Sequence, residues 1–162
     1  AAYSFVRLGR SLERADMATR IVDVGSGNLL PDIGSPAKQS ESNEPYENTL
    51  WMSILRSLTA YQMYRQHVKH RVNGEDVVRF LLQDDDFPRS ATHALTTITK
   101  VLKHLPKNSK STTQVTKTLG MIERGDISKL LDAGLFQYLD DLQVEIAKIH
   151  TSIFDTWFLP HK

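Results

Sequence analysis

Gly134-Leu135-Phe136-Gln137-Tyr138-Leu139-Asp140-Asp141-Leu142-Gln143-Val144-Glu145-Ile146-Ala147-Lys148-Ile149-His150-Thr151-Ser152-Ile153-Phe154 is the stretch that decides the fold. Leu135, Leu139, Leu142, Ile146, Ile149 and Ile153 recur at intervals of four and three residues. That spacing puts all six on one side of an α-helix, whereas a strand would send them to both faces. The reading is a long, straight last helix that ends near Phe158-Leu159-Pro160.

Working back from that helix, the same period recurs and no alternating strand pattern with hairpin turns interrupts it. Phe5, Leu8, Leu12, Ala15 and Val22 mark a first helix to about Val24, with Arg7, Arg10, Glu13, Arg14, Asp16 and Arg20 on its other positions. Gly25-Ser26-Gly27-Asn28 stops it, and residues 25–48, with Pro31, Pro36 and Pro45, read as a long polar loop. Trp51, Ile54, Leu55, Leu58, Tyr61 and Val68 mark a second helix over 49–71, whose basic end suits the helix dipole. Asn73-Gly74 precedes a short third helix through Val77, Val78, Phe80, Leu81 and Leu82. Asp84-Asp85-Asp86-Phe87-Pro88 leads into a fourth that uses Pro88 in its first turn, carries Leu95, Ile98, Leu102 and Leu105, and closes at Pro106. Val115, Leu119 and Ile122 mark a fifth, interrupted at Gly125, with Asp126 placed to cap the next helical stripe. The expected architecture is a single all-α domain over 1–162, a bundle of five or six helices with a long loop after helix 1.

The chain has 162 residues, 40% hydrophobic and 24% charged, with no cysteine. Disulfide frameworks, thiolate metal sites and cysteine nucleophiles are thereby excluded, and a cytoplasmic location is the expectation. No apolar run is long enough for a membrane helix, and no secretory signal opens the chain. The net charge of +1 hides an uneven spread. Residues 1–47 carry five basic and seven acidic side chains, 48–122 eleven and five, and 123–162 four and seven. A basic middle between acidic ends suits helices of opposite sign packed together, and no nucleic-acid partner is expected.

Motifs that carry chemistry are few. His67 and His70 share a helical face, but no Glu-x-x-His accompanies them, and Asp84-Asp85-Asp86 lacks the glycine-centred loop of a calcium site. No metal or cofactor is implied. Serines and histidines occur without a nucleophile elbow. The exception is Arg10, Glu13 and Arg14 at i, i+3 and i+4, with Asp16 and Arg20 able to pair one turn on. Turned inward, Arg10 and Arg14 would meet Tyr61, Tyr64 or Arg65 in an ion-pair network or a pocket for an anionic group.

The stretch Val6-Arg7-Leu8-Gly9-Arg10-Ser11-Leu12-Glu13-Arg14-Ala15 resembles the Leu-Gly-Arg-x-Leu-Glu-Arg-Ala motif of the bacterial alpha-E domain family, named for its helices and its Glu-Arg pair. Trp51 to Tyr64, Val78 to Ser90 and Gly134 to His150 are similar to three further family segments in the same order. The resemblance implies a chain corresponding to the C-terminal half of a full-length member, in keeping with the start at Ala1-Ala2, whose own N-terminal half would be one partner. It implies a setting beside ATP-grasp ligase-like and transglutaminase-like proteins in peptide-synthesis or peptide-modification systems, and no established catalytic residues. Carried over with Arg10, Glu13 and Arg14 are Tyr61 and Arg89, with Arg65 beside them, as candidate ligand- or partner-binding positions. Two functions compete. One is a non-enzymatic module binding an ATP-grasp-type ligase or its peptide substrate. The other is an acyl-transfer or amide-forming enzyme with Glu13 as acid or base, which requires a cavity beside that carboxylate.

Overall fold

In the computed structural model, residues 2–27 and 44–159 are described, and every regular element among them is helical. In chain order these are α1 (Ala2–Gly27), α2 (Glu44–Ser57), α3 (Tyr61–His67), α4 (Gly74–Gln83), α5 (Ala91–Leu102), α6 (Ser109–Arg124), α7 (Ile127–Asp132) and α8 (Leu135–Trp157). The all-α expectation holds. The count of five or six does not, because eight helices occur among the described residues.

Each difference has an identifiable cause. Both ends of the expected 25–48 loop are helical: α1 continues through Gly25, Ser26 and Gly27, and α2 begins at Glu44; residues 28–43 lie outside the described part. Gly25 lies within α1, and its missing side chain lets α2 approach. A Cβ there would stand 2.7 Å from the Ile54 Cδ1 and 3.0 Å from the Trp51 ring. The helix expected over 49–71 is two helices, broken at Leu58-Thr59-Ala60, where Thr59 takes a left-handed φ of 52°. The Arg89 guanidinium holds that corner, donating to the Leu58 carbonyl and, at 3.0 Å, to the Thr59 hydroxyl.

Caps set the remaining boundaries. Asn73 accepts from the Asp76 amide ahead of α4 at 2.9 Å. Pro88 precedes α5 rather than opening its first turn: Ser90 is the cap, accepting from the His93 amide at 3.0 Å. Asp126 caps α7, as its place after Gly125 suggested, and α7 was the element the periodicity did not separate from its neighbours. Lys129 on that first turn also holds the Asp126 carboxyl below its usual range, through the hydrogen bonds it donates.

Burial tracks the apolar stripes. Leu135, Leu139, Leu142, Ile146, Ile149 and Ile153 of α8 are all buried, as their spacing required. They meet one cluster with Leu8, Leu12, Ala15 and Val22 of α1, Leu95, Ile98 and Leu102 of α5, and Val115 and Ile122 of α6. α1 packs chiefly on α5, and also on α8, α4 and α2; α6 packs on α8 and α5. Small residues on α1 (Ser11, Ala15, Ala18, Thr19), all buried, allow that approach.

Candidate functional site

α1 is built with two faces. Its inner positions Leu8, Ser11, Leu12, Ala15, Ala18, Thr19, Val22 and Gly25 are buried against the bundle. Its outer positions Tyr3, Val6, Arg10, Glu13, Met17, Arg20 and Val24 recur with spacings of three and four residues, a second stripe on the opposite side. Tyr3 is 73%, Val6 54%, Met17 50% and Val24 65% exposed. A helix with two such stripes is suited to lie between two packed bodies, whereas one with a single stripe caps a core.

Arg10 and Glu13 lie in this stripe and Arg14 at its edge, all three exposed. Among the described residues none of the three takes part in a side-chain hydrogen bond or ion pair. None of them bonds to Tyr61, Tyr64 or Arg65, so the inward network is not formed. The pair expected one turn on is formed: the Arg20 Nε lies 2.6 Å from the Asp16 Oδ2, which raises the guanidinium further above its ordinary value. Thr19 donates to the Asp16 carbonyl at 2.7 Å, fixing the turn that carries this pair.

The other candidate positions divide. Tyr61 and Arg89 come together at the α2–α3 corner, where Arg89 fixes Thr59 and Tyr61 lies under the Arg56 guanidinium, 5.3 Å from ring centre. A shallow hollow of about 400 Å³ is lined there by Arg56, Thr59, Tyr61 and Gln62. Arg65 is exposed and lines none of the four main hollows among the described residues. Tyr64 is fully buried, edge-on to Phe80 at 5.4 Å, and burial pushes its hydroxyl up to about 12. Arg10, Glu13 and Arg14 therefore form one group and Tyr61 and Arg89 another, with Arg65 in neither.

A cleft of about 490 Å³ opens beside the outer stripe, between α1 and α2. Met17, Ile21 and Val24 form one wall, Leu50 and Ile54 the other, and Arg20 stands at the rim. Its floor is Gly25. Tyr3, Met17 and Val24 are the residues sequence reading missed, although their spacing with Val6, Arg10 and Glu13 was a signal in the chain from the start. Glu13 lines none of the four hollows, so the acyl-transfer reading finds no cavity beside its carboxylate in them.

His67 is engaged by other residues: its Nδ1 lies 2.8 Å from the Asp84 Oδ2 and its ring meets Phe80 edge-on. Asp84 in turn accepts from the Asp86 and Phe87 amides, which makes the acidic run a turn-forming element. No helix among the described residues is long and apolar enough to cross a membrane.

Residues 1–158 match the model of the family Alpha-E, described as a predicted alpha-helical domain with a conserved ER motif. No curated protein and no solved structure matches the chain.

Proposed function

Because the chain belongs to the Alpha-E family, we propose that it is a non-enzymatic helical interaction module. It docks through the outer face of α1 to an ATP-grasp-type ligase, or to that ligase's peptide substrate, in a bacterial peptide-synthesis or peptide-modification system. A transglutaminase-like protein of the same system is the other partner to test. The observation that supports this reading is the second stripe of α1, which puts Arg10, Glu13 and Arg14 in the open between apolar residues and beside an apolar cleft.

The parts of this face complement one another. Exposed apolar side chains on a rigid helix supply the area that drives association, and unpaired charges among them select the partner and its register. Arginine is well suited to that task, since its planar fork takes carboxylates in pairs of hydrogen bonds.

The test uses an ATP-grasp-type ligase from the same bacterium, titrated against wild-type chain and two variants, Glu13→Ala/Arg14→Ala and Met17→Glu/Val24→Glu, the last two residues being exposed at the cleft. Helicity and melting are checked first. Both variants are expected to keep the wild-type melting curve and to lose at least about tenfold in affinity, the scale of a lost interface anchor. Wild-type affinity in both would overturn the reading.

A further inference from the structure

Resting on the reading of α1's outer face as a docking face, we infer that residues 3–20 of that face pair with the same helix of a second copy, antiparallel, about a two-fold axis between Ser11 and Leu12. The sequence of the outer stripe is complementary to itself in that register. With Tyr3, Arg10 and Met17 on one row and Val6, Glu13 and Arg20 on the other, antiparallel packing sets each residue of the first row against one of the second.

The three layers along the seam are each complementary. Nearest the axis, Arg10 of each copy meets Glu13 of the other, two reciprocal ion pairs between side chains that have no partner within the chain among the described residues. One layer outward, Val6 meets Met17, covering apolar surface that is 54% and 50% exposed. Beyond that, Tyr3 meets Arg20, placing a guanidinium over an open aromatic ring. An isologous contact requires this property: every contact occurs twice and the surface must suit itself. Arg7 and Arg14 stand on one rim of the paired helices, where their mutual repulsion opposes pairing and is weakened as salt rises. Met17 and Arg20 belong both to the paired segment and to the cleft that Ile21, Val24, Leu50 and Ile54 complete, so a second copy and a ligase-type partner compete for this face.

Sedimentation equilibrium over a concentration series, with charge exchange, is the test. The wild-type chain is expected to shift from monomer to dimer as concentration rises. Arg10→Glu and Glu13→Arg, each alone, set like charges together and are expected to weaken the dimer at least about tenfold. The double variant Arg10→Glu/Glu13→Arg restores opposite charges and is expected to recover dimerisation. Since the chain has no cysteine, a mixture of Val6→Cys and Met17→Cys chains gives a clean second readout. Oxidation is expected to cross-link that mixture, and to leave a mixture of Val6→Cys with Val144→Cys, on α8, uncross-linked.

A chain that stays monomeric at its solubility limit overturns the proposal. So does a dimer indifferent to all three charge variants, which would use another face. The ligase titration above separates the two ideas. A monomeric chain whose α1 variants still lose ligase keeps the docking face and discards the second copy. A dimer whose variants bind ligase normally does the reverse.

Discussion

The Glu145 carboxylate faces α6 from α8, 7% exposed, and takes Lys148 at 2.7 Å, Lys117 at 2.9 Å and Gln114 at 2.6 Å. The hydrogen bond from Lys148, followed by that from Lys117, holds its pKa down to about 2, against an ordinary value of 4.5. A carboxylate whose folded pKa is depressed stabilises the fold above its unfolded value, and that contribution is lost as pH falls through the folded one. Unfolding free energy is therefore expected to drop between pH about 4.5 and about 2, and Glu145→Gln is expected to flatten that part of the profile. Urea titrations across that range check it; an unchanged slope in the variant would refute it. Gly25 carries a second prediction at this scale. Gly25→Val sets a branched side chain against Ile54 and the Trp51 ring, and is expected to cost about 1–3 kcal/mol of stability, as overpacking does. Some of these residues were legible in the sequence: Asp126 read as a cap, and Asp16 with Arg20 as a pair. Glu145 was not, because its partners Lys117 and Gln114 lie 28 and 31 positions back, on another helix.

At the level of elements, the strongly periodic α8 and the well-capped α4 were legible because spacing and caps are local. The corner between α2 and α3 was not. Nothing in Leu58-Thr59-Ala60 announces a break, having neither glycine nor proline, and the stripe of Leu55, Leu58 and Tyr61 runs through it. The break is held from outside by Arg89, 30 and 31 positions further along the chain. Arg89→Ala is expected to cost about 1 kcal/mol, the net worth of exposed hydrogen bonds of this kind, without loss of helicity in α2. Thermal melts with far-ultraviolet circular dichroism read both quantities. The early start of α2 had a signal that composition masked. Pro45 lies in its first turn, where proline favours a helix start, but the surrounding serine, asparagine and glutamate read as loop. The outer stripe of α1 was hidden for a different reason. Reading a helix for its most apolar face finds Leu8, Leu12, Ala15 and Val22 and files every other position as solvated, so a mixed second face goes unseen.

For the whole molecule, α1 divides two kinds of energy. Its inner face joins the cluster built on α5, α6 and α8, and truncation of that cluster, as in Leu139→Ala, is expected to cost about 2–5 kcal/mol. Its outer face contributes little to folding, since exposed substitutions remote from caps and networks stay within about 0.5 kcal/mol. The all-α architecture was therefore legible from the sequence, while the site was legible only in part. Arg10, Glu13 and Arg14 were singled out correctly as residues on one helix, but the direction in which they point depends on how α1 packs, and that is set by α5 and α8 far along the chain. Everything functional proposed for this chain rests on the division of α1 into a structural and an interacting face. The measurement that bears on it is the unfolding free energy and ligase affinity of Val6→Glu/Met17→Glu beside those of the inner-face variant Leu8→Ala. With α1 divided in this way, the outer pair leaves stability within about 0.5 kcal/mol and loses the ligase, whereas Leu8→Ala loses about 2–5 kcal/mol. An outer pair that unfolds the chain, or that stays folded and binds ligase as the wild type does, would contradict it.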